Sequence, residues 1–346
     1  MTVIAGLATL NHLLHWKWRE IPFILNHLGV FLAITCATLG STDLQQYEMK
    51  VDVGSQESQA YDENGGVHDP GFSIELERFI MDVYDNGMPK RFASDISVYT
   101  KDGKGISGTV DVNKPLKVNG WKVYQYDYDA QRGPESEYSV FLLVRDPWLP
   151  AVYLGIFLML FGALCMIGMK YVPKRWWVLL AALLLTVFFT FLTVSRMGSS
   201  AKNLMPALQS PWFIPHLIVY MAGYALLAMA TLTAIYLLIG RKARETALSV
   251  TDNLVYVGLA FLTFGMLFGA LWAKEAWGHY WAWDPKETWT AITWLCYLVY
   301  IHFRKARPGQ WRAACWILLF SFVCLQICWW GINYLPSAHI NSMHTY

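Results

Sequence analysis

Seven stretches of the chain are apolar over about the 20 residues that a helix needs to cross a bilayer. They are residues 21–40, 148–169, 176–195, 212–239, 254–273, 287–303 and 311–332. The stretch 287–303 is short and reaches span length only with aromatic residues and flanking charges set in the interface. Residues 1–15 are apolar enough for part of a span. Between the first two stretches lies a polar block, 41–147, with a different period. FASDISVYT (92–100), KVYQYDYD (122–129) and EYSVFLLVRD (137–146) alternate or are rich in β-branched and aromatic residues, which predicts strands. KDGKG (101–105) and VNG (118–120) predict turns. The pattern therefore predicts a polytopic α-helical membrane protein of about seven spans, with a β-rich extracytoplasmic domain inserted after the first span.

Charge then orients the spans. If the seven alternate, four basic clusters share one side: Lys17 and Arg19; Lys170, Lys174 and Arg175; Arg241, Lys242 and Arg244; and Arg304, Lys305, Arg307 and Arg312. The other side has only Arg196, Lys202, Lys274 and Lys286 in its short loops. The positive-inside rule makes the first side cytoplasmic. The block 41–147, the loops 196–211 and 274–286, and the C-terminus then face outward. The lipid bilayer is the first implied partner.

Of the 346 residues 55% are hydrophobic and 15% charged, against about 25% charged in a soluble domain. A net charge of +2 supplies no broad basic surface for nucleic acid. The first 15 residues lack a basic start and a small-residue cleavage site, so no cleavable signal peptide is expected. The six cysteines, Cys36, Cys165, Cys296, Cys315, Cys324 and Cys328, all fall in apolar segments and none forms a C-x-x-C pair. They read as small buried residues, not as a disulfide framework or a dithiol.

The segment WAKEAWGHYWAWDPKETW (272–289) holds Trp272, Trp277, Trp281, Trp283 and Trp289, five of the chain's 17 tryptophans. An interfacial aromatic belt accounts for one to three per helix end. Five around one outward loop favour a platform for a large flat ligand. Asp284, Pro285 and Glu287 have the spacing of a capping box with proline at the first helical position. Asp284 and Glu287 thus have a structural reading beside a functional one, and Lys286 is placed either to meet a ligand carboxylate or to anchor at the interface. His216, after SPWFIP, and His344, in SMHTY, are predicted on the same outward face, with His339 five residues before the latter. Imidazole is a standard axial ligand of haem iron. His27 and His302 fall at similar depth toward the cytoplasmic side and permit a second pair. His12, His15, His68 and His279 read as surface or interface residues. The outer block shows no catalytic constellation, but a β-rich surface there permits peptide binding by strand addition.

WGHYWAWDPKETW closely resembles the tryptophan-rich "WWD" signature of haem-handling proteins in cytochrome c maturation. GINYL (331–335) and MHTY (343–346) are similar to the C-terminal end of the CcsA branch of system II. VNKPLKVNGWKVYQYDYD (112–129), VRDPW (144–148) and HLGVF (27–31) resemble its partner, CcsB or ResB. The resemblance covers nearly the whole chain and implies a CcsB–CcsA fusion. Residues 1–147 form the ResB-like part, 148–169 a connecting span, and 170–346 the CcsA-like part with its WWD loop at 272–289. It implies a bacterial inner-membrane protein that exports haem b as a transported substrate. Such a protein presents haem to the C-x-x-C-H motif of an apocytochrome c for thioether formation, a holocytochrome c synthase activity. Thioredoxin-like reductants supply the thiols. His216 and His344 match the outward iron ligands, His27 and His302 the membrane ligands, and Trp277, Trp281, Trp283 and Asp284 the WWD core. The MHTY context favours His344 over His339 as ligand, although PSAHIN (336–341) lengthens the usual spacing. The ResB branch normally has further spans before its histidine span, where this chain has only residues 1–20, so the chain is either short there or incomplete. Two other readings are a haem transporter or chaperone without synthase activity, and a b-type electron-transfer protein.

Overall fold

The computed structural model of the protein describes residues 2–14, 21–103, 105–166, 184, 205–240 and 245–334. The predicted span 176–195 lies outside the described residues. So do His15, His339, His344, Lys17, Arg19, Lys170, Lys174, Arg175, Arg196, Lys202, Arg241, Lys242 and Arg244.

The apolar stretches form helices: α1 (Thr2–Leu14), α2 (Ile21–Gly40), α3 (Leu149–Met166), α4 (Phe213–Gly240), α5 (Glu245–Trp277), α6 (Pro285–Ala306) and α7 (Trp311–Trp329). Among the described residues α2, α4, α5 and α7 are long and apolar enough to cross a membrane, and α3 is a shorter apolar helix. At about 1.5 Å per residue α1 rises about 20 Å, short of a full span. α5 begins nine residues before the predicted span at 254. Hydropathy misses that polar start because its side chains are used inside the bundle. Asp252 accepts hydrogen bonds from the Tyr300 hydroxyl at 2.8 Å and from Arg304 Nη2 at 2.8 Å, both on α6.

Neighbouring helices run antiparallel. α2 and α3 approach closely through small residues, as membrane helices do. A Cβ on Gly29 would lie 2.7 Å from the Gly155 carbonyl oxygen, and one on Gly155 2.8 Å from the Ala33 nitrogen. α3 packs on α5 through Ala163, Ala260 and Phe264. α4, α5, α6 and α7 share one core around Leu227, Leu254, Tyr297 and Leu318.

Residues 45–145 form the predicted β-rich domain. Its strands are β1 (Gln45–Asp52), β2 (Gln56–Glu57), β3 (Ala60–Tyr61), β4 (Val67–His68), β5 (Phe72–Val83), β6 (Pro89–Thr100), β7 (Gly105–Asp111), β8 (Leu116–Val118), β9 (Trp121–Tyr128) and β10 (Tyr138–Arg145). They make a six-stranded sheet, β4-β3-β1-β10-β9-β8, and a four-stranded one, β2-β5-β6-β7. Alternating side chains of both, among them Met49, Ile74, Ile96, Val123 and Phe141, fill the core between them. The predicted turn at 118–120 joins β8 to β9, with Asn119 at φ +46° and Gly120 at φ +83°. Positive φ at both central residues is the type I′ requirement. β1 and β10 pair directly, Gln45 opposite Arg145, so the strands that enter and leave the domain are neighbours.

Candidate functional site

His216 sits in the first turns of α4. Its Nδ1 lies 2.8 Å from the Gly265 carbonyl oxygen on α5. A carbonyl only accepts, so Nδ1 carries a proton, and in the neutral tautomer the lone pair is at Nε2. α5 leaves room for the ring because residue 269 is glycine: a Cβ there would stand 2.9 Å from His216 Cε1. Tyr220 meets the imidazole edge-on at 4.7 Å and Trp272 lies tilted at 5.7 Å.

These residues line a cavity of about 430 Å³ at the end of the bundle beneath the β domain. α4 contributes His216, Tyr220 and Tyr224; α5 contributes Met266, Gly269 and Trp272. The tryptophan loop adds Tyr280 and Trp281, the start of α6 adds Lys286, Glu287 and Thr290, and the end of α7 adds Cys328 and Trp329. Met88, from the turn between β5 and β6, and Met205 also reach it. Volume and aromatic lining are those of a site for a bulky, flat, largely apolar molecule.

The predicted tryptophan core divides. Trp281 lines the cavity, and its buried Nε1 has no hydrogen-bond partner. Trp277 does not line it; it packs on Trp272, ring centroids 5.3 Å apart, over Leu208 and Phe213. Trp283 is 71% exposed and meets Trp281 edge-on at 5.9 Å. Asp284 caps α6: its carboxylate accepts from the Lys286 amide at 2.7 Å, while Glu287 Oε2 accepts from the amides of Ala282 and Asp284. This is the capping box read from the sequence. It explains why Asp284 is buried away from the cavity wall.

The loop is seated on the β domain. Gly278, at φ +81°, would direct a Cβ to within 3.1–3.4 Å of Leu142, Val144 and Tyr124 on the six-stranded sheet. Lys274 is 3% exposed at its side chain; its Nζ donates to the Gly278 carbonyl at 2.9 Å and lies 3.7 Å from Asp146 Oδ2. Tyr280 meets Tyr153 edge-on at 5.9 Å. Burial holds the phenols of Tyr124 and Tyr280 protonated well above their usual range. The segment ahead of His216 is fixed too. Asn113 Nδ2 donates to the Pro206 carbonyl, Gln209 Nε2 to that of Lys90, and Trp272 Nε1 to that of Ala207.

At the opposite end of the bundle His27 and His302 meet edge-on, ring centroids 6.5 Å apart. Each Nδ1 is bonded to the carbonyl one turn back, Phe23 at 2.9 Å and Leu298 at 2.8 Å. In both rings, as in His216, Nδ1 is the nitrogen turned to the backbone and Nε2 the one left for a ligand. Phe23 stacks on His27 at 3.7 Å and on its other flank meets His12 at 4.0 Å. His12, read as an interface residue, thus belongs to this cluster. His68 is a domain residue, stacked on Tyr47 with Nε2 2.8 Å from Asp62.

Among the described residues no three His, Cys, Asp or Glu side chains gather as a metal site. The donors are single imidazoles, which suit a planar metal complex that brings its own in-plane ligands. The sequence reading missed Tyr220 and Tyr224 as cavity residues. They follow His216 at steps of four along α4, so helical spacing alone carried that signal. Met88 had none, because it arrives from another domain.

Residues 150–339 match the family model described as Cytochrome C assembly protein, and residues 17–137 match the ResB-like family. Similar curated proteins are named cytochrome c biogenesis protein CcsA. The one from Chlamydomonas reinhardtii is 35% identical over 176 residues, covering 48% of this chain and 48% of that protein. The one from Guillardia theta is 34% identical over 193 residues, covering 47% and 63%. The chain thus spans about half to under two thirds of the length of these relatives. It belongs to the cytochrome c assembly protein family, with a ResB-like part ahead of the assembly part in one polypeptide, as in a CcsB–CcsA fusion.

Proposed function

We propose that this protein serves cytochrome c maturation by holding haem b, its transported substrate, in the outer cavity and presenting it to an apocytochrome c. The observation that carries the reading is His216: an imidazole with its tautomer fixed by Gly265, set in the wall of a 430 Å³ aromatic cavity. Trp281 and Trp272 supply flat apolar surface for the porphyrin. His344 of the C-terminal segment is the second outer ligand of the iron in this reading. His27 and His302 form a relay site nearer the opposite face, taken here as cytoplasmic. The tryptophan loop and β domain face outward from the bacterial inner membrane.

Haem supplies the iron and the two vinyl groups. The protein's own residues hold the ring, exclude water and fix its approach to the C-x-x-C-H segment. Each cysteine thiol of that segment, kept reduced by thioredoxin-like partners, adds S–H across a vinyl C=C, with no net oxidation. Proximity is the main accelerating device. The β domain reaches the cavity through Met88, so it is the natural seat for the apocytochrome.

The test is the absorption spectrum of the purified protein, wild type against His216→Ala, with a reporter apocytochrome expressed in cells lacking other maturation systems. Loss in the variant of the outer site's share of the low-spin bis-histidine signal, with the share of the His27–His302 pair kept, and covalent haem on the wild-type reporter are the expected results. An unchanged haem content and spectrum in His216→Ala defeats the assignment. Haem bound normally with no covalent product leaves a carrier without synthase activity. Haem that no acceptor removes marks a b-type electron carrier instead.

A further inference from the structure

Two hydrogen-bond donors of matching kind stand in the cavity wall, and among the described residues one of them, the buried Trp281 Nε1, has no partner. Lys286 lines the wall from the first turn of α6. Among the described residues it makes no ion pair, and both carboxylates beside it are engaged by the loop backbone. Lys274, the other lysine of this region, is different: it has Asp146 and the Gly278 carbonyl. The second donor is the buried Nε1 of Trp281, which has no acceptor. An indole N–H only donates, and so does an ammonium. A largely apolar cavity does not keep a buried N–H unsatisfied without cost unless its ligand brings the acceptor, and a cation with no ion pair beside that N–H makes an anionic acceptor the fitting one.

We propose that Lys286 and the Trp281 indole form a carboxylate-binding subsite of the outer cavity. On the haem reading above, which this inference rests on and deepens, the carboxylate is a propionate of the porphyrin. Protoporphyrin carries both propionates on one edge and its vinyls on the opposite one. Anchoring the acidic edge at the start of α6 therefore fixes the in-plane rotation of the ring and turns the vinyl edge away from that helix. His216 sets the plane through the iron; Lys286 sets the rotation within the plane. The capping box holds the backbone of Lys286, so the ammonium is delivered from a rigid helix start.

The experiment titrates detergent-purified protein with iron protoporphyrin IX and, separately, with its dimethyl ester, reading binding by absorption. Wild type is expected to bind the free acid about tenfold or more tighter than the ester. Lys286→Met is expected to lose that preference while still ligating iron through His216. Lys286→Arg is expected to keep the preference, and Trp281→Phe to lose part of it. Equal affinity of wild type for acid and ester overturns the inference, as does a preference that survives in Lys286→Met. Failure of wild type to bind either porphyrin overturns the haem reading as well.

Discussion

The two histidine sites use the same device on different supports. In each, Nδ1–H donates to a backbone carbonyl, which leaves Nε2 as the nitrogen available to a ligand. For His27 and His302 the carbonyl belongs to the residue's own helix, one turn back, and the pair exists only because α2 and α6 bring two such rings together. For His216 the carbonyl belongs to another helix, and the ring sits in a built cavity closed by the β domain. The inner site is therefore specified locally and assembled by helix placement. The outer site is specified by tertiary structure throughout, and mutations distant in sequence disturb it.

The sharpest separation of the two in haem affinity is expected from Gly269→Val. The new side chain occupies the place of His216 Cε1 and breaks its bond to Gly265. Outer-site haem affinity should fall by about tenfold or more, equivalent to about 1.4 kcal/mol, while the spectrum of haem at the inner pair stays unchanged. Retained outer affinity would show that His216 is not held as described. The mirror experiment is His302→Gln, which should remove the inner signal and leave the outer affinity for added haem unaltered.

Next comes the seat of the tryptophan loop. Lys274→Met leaves the Asp146 carboxylate mostly buried without its cation, a loss of about 3 kcal/mol for a buried pair. The melting temperature should drop, and Lys274→Met combined with Asp146→Leu should recover much of it. No recovery in the double variant would mean that the ion pair is not what couples loop to domain. The smallest effect belongs to Asp284→Ala. Removing an N-cap costs about 1 kcal/mol. It should loosen the outer site slightly in thermal melts and leave the inner one untouched.

How much of this was legible in the sequence depends on distance along the chain. Apolar runs located the described helices, and the capping box at Asp284 was readable because all its atoms lie within four residues. Of the β domain, β6, β9 and β10 were visible as alternating segments. β1 and the first half of β5 alternate as well, as YEMKVD and FSIELE, and were missed although legible; β5 breaks only at Glu77 and Arg78, where its register shifts, and β7 is interrupted by Gly108. The histidines were visible as residue types in an apolar setting. Their tautomers were not, since Gly265 lies 49 residues from His216. Nor was the split among the tryptophans, where Trp277 packs internally and only Trp281 reaches the cavity from that predicted core.

The adjacency of β1 and β10 has one more consequence. The polypeptide leaves the lipid along one strand and returns along its immediate neighbour, so α2 and α3 are joined as though by a simple hairpin. In connectivity, though not in the contacts it makes with the tryptophan loop, the extramembrane head is an insertion between two helices that pair without it. Evolution can enlarge, trim or exchange it without rethreading a single helix.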